Sequence, residues 1–246
     1  RTAAKEELKK ALSISQSSGN IIMSVASLTN LGQLYEMENQ LELAKDSYKK
    51  VLKLICKPPL PYACGALIGL AQISYEQNDL VAAERFAQQS LELAQQLENL
   101  DTPILCHLLF AQLKSARSDL TGAGEAIRLA EEFARKHKIP HRFQDITAAK
   151  ACLFLKQGEL EKALAVIEKQ VPPLVQARIF LAQSDADGAL AVLEPLQKEL
   201  NLKSSKAEIL KVLLLKARAY HMLNAGNKAE KALEDALVLA KPGNLV

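Results

Sequence analysis

Apolar positions recur along this chain at the three- and four-residue intervals of helix faces, in blocks separated by short polar breaks. The clearest break lies in residues 67–94, LIGLAQISYEQNDLVAAERFAQQSLELA, where two amphipathic segments meet at Asn78-Asp79. Each segment carries one small residue at a fixed place, Ala71 before the turn and Ala83 twelve residues later. The same twelve-residue pair recurs as Gly32/Ala44, Ala111/Ala123, Ala151/Ala163, Ala177/Ala189 and Ala217/Ala229. The pattern is that of a repeating helical hairpin.

It predicts helices at Ile21–Glu38 and Leu41–Cys56, Tyr62–Gln77 and Leu80–Leu97, Pro103–Arg117 and Leu120–His137, Arg142–Gln157 and Leu160–Lys169, Leu174–Gln183 and Ala186–Leu200, and Ser204–Leu223 and Asn227–Lys241. Asn, Asp, Gly or Ser stands at nearly every short turn, where one helix must end and the next be capped. Longer linkers, several with proline (57–61, 100–103, 138–140), join successive pairs, since proline is tolerated at a helix start but not inside one. Pro195 breaks this rule and predicts a kink or an early stop. Residues 1–16 read as the second helix of a hairpin whose first helix is missing, so the chain is expected to be a piece of a longer protein.

The second small residue of each pair sets the period. Intervals from Ala4 through Ala44, Ala83, Ala123 and Ala163 are 40, 39, 40 and 40; Ala163 to Ala189 is only 26, and Ala189 to Ala229 is 40 again. The shortfall of 14 falls around Gln170-Val171-Pro172-Pro173. Either that repeat is truncated or a loop is absent from the sequence; both flanking registers resume unharmed, which favours absent residues. Facing small residues let two backbones approach closely, and a hairpin that cannot bury its apolar face alone stacks on the next. A constant rotation per step then gives a right-handed superhelix with a concave groove. Tyr35, Phe154, Phe180 and Tyr220, each three residues after a first-helix small position, are expected to fill space between hairpins.

Composition changes this picture little. The net charge of +3 is too small to argue for nucleic-acid binding, and the basic residues of the last 50 positions read as a solvated helix face. Cys56, Cys64, Cys106 and Cys152 form no CxxC pair and have no histidine at ligand spacing, so they are expected to be buried small residues in a reducing compartment. No signal peptide or membrane span is evident, which points to the cytoplasm.

The twelve-residue small-to-small spacing with Tyr or Phe three residues on resembles the tetratricopeptide (TPR) repeat, though units near 40 exceed the 34 of that family. The expected fold is therefore all-α: a right-handed α-α superhelix of TPR-like hairpins over residues 1–246, six pairs plus a leading half. The phrases ISYEQNDLVAAERFAQQSLELA (73–94), LAQSDADGALAVLEPL (181–196) and LEDALVLAKPGN (233–244) resemble the large ATP-dependent transcriptional activators of the MalT type in the LuxR superfamily. That resemblance implies a modular regulator in which the repeat region receives an effector or partner. A nucleotide-binding domain and a helix-turn-helix would lie elsewhere. The chain itself has no GxxxxGK[ST] loop, and no direct nucleic-acid contact is expected from it.

Catalysis is not expected. The carboxylates are scattered on solvent faces with Lys or Arg at helical spacing, and His107, His137, His141 and His221 are far apart. Gly122-Ala-Gly124 lacks the preceding strand that a phosphate loop needs. No catalytic residue, metal or cofactor is assigned. Binding is better supported. One residue after each first-helix small position stand Gln33, Gln72, Gln112, Cys152, Arg178 and Arg218, and four after it Glu36, Tyr75, Ser115, Leu155, Leu181 and His221. These rows should face the groove. Glutamine amides donate and accept, suiting a polyhydroxylated or peptide ligand, and arginines suit carboxylate or phosphate. The candidate site is thus Gln33, Glu36, Gln72, Tyr75, Gln112, Ser115, Arg178, Arg218 and His221, for a small-molecule effector or a protein segment. A constitutive scaffold for a partner's peptide or helix is the alternative.

Overall fold

A computed structural model of the chain describes residues 2–55, 61–96, 101–166 and 172–243. A leading helix α1 (Thr2–Ser17) is followed by pairs: α2 (Ile21–Met37) with α3 (Leu41–Leu54), α4 (Cys64–Glu76) with α5 (Leu80–Ala94), and α6 (Asp101–Ala116) with α7 (Leu120–Lys136). Then come α8 (Phe143–Gln157) with α9 (Leu160–Val166), α10 (Pro173–Ala182) with α11 (Ala186–Leu202), and α12 (Lys206–Met222) with α13 (Gly226–Ala240). The described residues contain no strand. The architecture is an all-α superhelical repeat.

Each hairpin turn has one backbone solution. A left-handed residue follows the first helix: Asn39, Asn78, Ser118, Gly158, Ser184 and Asn224, with φ between 55° and 76°. The next N–H reaches back to a carbonyl five residues earlier, as from Gln40 to Tyr35 and from Asp79 to Ser74 (both 2.8 Å), closing the helix end in a Schellman-type bond. Asp79, Asp119 and Asp185 then cap the second helix, accepting from the N–H groups of Ala82, Gly122 and Gly188.

All twelve small residues of the repeat are buried. Gly32 has a more specific reason. A methyl group there would stand 2.4 Å from the Tyr48 ring, and the same is true at Gly69. Tyr48 is wholly buried, its ring running through a slot made by the absent side chains of two helices.

Successive first helices touch one another (α2 with α4, α4 with α6, and onward to α12) and form the inner wall, with the second helices outside. The chain also returns on itself. Helix α12 touches α2, and the 3₁₀ turn Lys241–Gly243 rests on α3. Lys5 Nζ meets Glu38 at 2.7 Å and holds α1 on α2.

Three expectations need correction. Of the kink or early stop expected at Pro195, the stop is overturned: α11 runs from Ala186 to Leu202, because Leu193 before the proline and Leu200 after it both anchor in the last core cluster. That burial outweighs a lost intrahelical bond. Cys64 and Cys106 are buried as expected, but Cys152 is only half-buried. Helix ends also shift by a few residues, as at α4, which begins only after a 3₁₀ turn over Pro61–Ala63. Cys56, linker residues 57–60 and the shortfall at Gln170-Val171 lie outside the described residues.

Candidate functional site

The inner wall carries polar side chains from four first helices. Helix α2 supplies Glu36, and the Tyr48 hydroxyl, delivered from α3 through the glycine slot, donates to Glu36 Oε1 at 2.6 Å. Helix α4 supplies Gln72, Tyr75 and Glu76, the Gln72 amide donating weakly to Glu76 at 3.4 Å. From across the ring, α12 brings Lys211, whose Nζ lies 4.0 Å from Glu76 Oε1. Helix α10 brings Arg178, whose Nη1 lies 3.2 Å from Cys152 Sγ.

These groups alter one another. Burial pushes the Glu36 carboxyl up to about 7, and Glu76 adds to the push, while the Tyr48 hydrogen bond and Lys211 oppose it. Burial likewise raises the Tyr48 hydroxyl, with the charge and hydrogen bond of Glu36 acting in the same direction. Tyr75 is raised by burial against the pull of Arg178, with Glu76 adding to the rise. The result is a cluster in which half-buried acidic groups from the first two pairs face exposed basic groups from the last two. An extended segment bearing both charges could be gripped there by ion pairs and amide hydrogen bonds.

Of the residues singled out from sequence, Glu36, Gln72, Tyr75 and Arg178 belong to this cluster. Gln33, Gln112, Arg218 and His221 present exposed side chains and Ser115 a half-buried one. Sequence reasoning missed Tyr48, Glu76 and Lys211. Tyr48 sits on a second helix, outside the rows counted from first helices. Its signal was present in Gly32 and Gly69, since a glycine inside a helix is costly and calls for a packing reason.

The family model of the MalT-like TPR region matches residues 1–246. The chain belongs to this family. A MalT-like TPR region has the repeating hairpins seen here. Among curated proteins the chain is similar to response regulator aspartate phosphatase A of Bacillus subtilis (strain 168), at 26% identity over 171 residues. That match takes in 67% of this chain and spans 42% of the relative's length. Among solved structures it resembles BtubC (BKLC) from P. vanneervenii, with a TM-score of 0.54 and 14% identity, covering 99% of this chain and 90% of that one. This last likeness concerns the fold alone.

Proposed function

We propose that this MalT-like TPR region is the receiving part of a transcriptional regulator, binding an effector or partner on its inner wall and relaying that event to nucleotide- and DNA-binding domains elsewhere in the parent protein. The observation that carries the proposal is the convergence of Glu36, Gln72, Tyr75, Glu76, Arg178 and Lys211 from four helices onto one face. Packing alone does not need opposed acids and bases there. A bound segment shifts the regulator only to the extent that it binds one state better than another.

A protein segment is favoured over a sugar-like effector, because the cluster carries full charges of both signs and not only amides. The curated relative is, by its name, a protein that acts on response regulators, which accords with a protein partner. Its phosphatase activity is not carried over, since the match spans less than half of it. The proposed role is binding without catalysis, and the remaining groove residues (Gln33, Gln112, Ser115, Arg218 and His221) extend the contact surface beyond the cluster.

The test is site-specific photo-cross-linking in the full-length parent protein. A photoreactive side chain replaces Gln72, Tyr75 or Arg178 on the inner wall, or Lys49 on the exposed outer face. Adducts with one defined partner from the inner positions support the proposal. Adducts from Lys49 alone, or none from the inner wall, overturn it.

A further inference from the structure

The chain completes one superhelical turn and closes on its own start, and the seam is unlike the joints between neighbouring hairpins. Neighbouring hairpins share apolar cores. The core of the first two pairs (Val25, Leu41, Tyr48, Leu70 and others) and that of the last two (Leu181, Leu193, Leu213 and others) are separate clusters. What crosses the seam is chiefly polar. Leu239 O is one of the last carbonyls of α13, which have no partner within their own helix. It accepts from Asn39 Nδ2. Gly243 O, just beyond, accepts from Gln77 Nε2 at 2.9 Å. Thus the turns of the first two hairpins cap the end of the last helix. Asn39 and Asn78 hold the same place in successive turns, yet Asn39 is buried and Asn78 exposed. The apolar neighbour of Gly243 is the tip of Leu41, beside the Asn39 amide.

We propose that the last hairpin, α12–α13, is a releasable latch: gripped by Asn39 and Gln77, it holds the superhelix closed and keeps Lys211 over Glu36 and Glu76. Seams built from a few polar contacts open more readily than shared cores. Release withdraws Lys211 and leaves the Glu76 carboxylate on α4, with Glu36 near it on α2, for a cationic side chain of a partner. This last consequence rests on the groove-binding proposal; the latch itself does not.

The experiment reads distance and needs no ligand. Spin labels on non-canonical side chains at Val81 and Val238, which are 76% and 71% exposed, report the separation between the second hairpin and the end of α13 by pulsed electron resonance. Asn39→Gly with Gln77→Ala removes both grips. Glycine at 39 suits the φ of +56°, so the turn is not strained. The unaltered protein should show one narrow distribution, and the double variant a longer and broader one with unchanged helicity. An unchanged distribution in the variant overturns the latch, as does an equally broad one in the unaltered protein. Should the double variant lose helicity, Gln77→Ala alone decides on the same terms. The cross-linking experiment makes no use of the seam, so failure of the latch and failure of groove binding are read separately.

Discussion

Replacing Glu36 with glutamine isolates the energetics of the inner wall. Gln keeps an oxygen that accepts from the Tyr48 hydroxyl and removes only the ionisable proton. The carboxyl rises from its ordinary 4.5 to about 7 in the folded chain, chiefly through burial. The folded state therefore holds this proton more tightly than the unfolded chain. Its stabilising contribution is complete below pH 4.5 and is lost as pH rises through about 7. Each tenfold change in proton affinity is worth about 1.4 kcal/mol, so the loss is at most roughly 3 kcal/mol, an upper bound because the side chain keeps some contact with water. The variant lacks this component. Urea denaturation of both proteins at closely spaced pH values should give curves that nearly coincide below pH 4.5, diverge between there and about pH 7 and run parallel above it, with Glu36→Gln the more stable at pH 8. A difference that does not change with pH, or a variant less stable at pH 8, would refute the assignment. The Tyr48 donor and Lys211 both lower the Glu36 value, so Lys211→Met should move the inflection in the unaltered curve to higher pH.

Ala83 is wholly buried at a close helix–helix approach, and Ala83→Leu should cost ~1–3 kcal/mol through overpacking, seen as a lower melting temperature; no change would contradict the close-approach argument. Gly69→Ala should destabilise by driving a methyl group into the Tyr48 ring. A double-mutant cycle with Tyr48→Ala checks the cause, since the Gly69→Ala penalty should largely vanish in that background. Once cross-linking has identified a partner, Gln72→Ala with Gln112→Ala should weaken its binding without shifting the melting temperature; unchanged affinity would remove the glutamine row from the site.

The features legible in the sequence are those fixed within one hairpin. Asn39, Asn78 and Gly158 mark turns because a left-handed residue is required there, and Asp79, Asp119 and Asp185 mark helix starts because the first N–H groups need an acceptor; the sixth turn, expected at Gly226-Asn227, instead lies at Asn224, and Gly226 opens α13. The twelve-residue spacing of small residues marks the contact between paired backbones. The early stop expected at Pro195 fails because a local rule met a tertiary one: Leu200 has a core to enter, and the helix continues to reach it.

Relations between distant hairpins were not legible, and the reason is cumulative. Each joint adds a small rotation, and whether residue 211 arrives opposite residue 76 depends on the sum over all of them. The Gln33, Gln72, Gln112, Arg178, Arg218 row therefore reads in sequence as a stripe running along an open groove. Closure turns that stripe into opposing walls, Glu36 and Glu76 on one side and Lys211 on the other, with Arg178 acting on Tyr75 from α10. The charges matter less as positions on a repeat than as a pair of faces held apart by the ring. A change of a few degrees per joint would separate them with every hairpin intact. The property most open to control in this fold is thus its curvature, and the seam at Asn39 and Gln77 is where the chain fixes it.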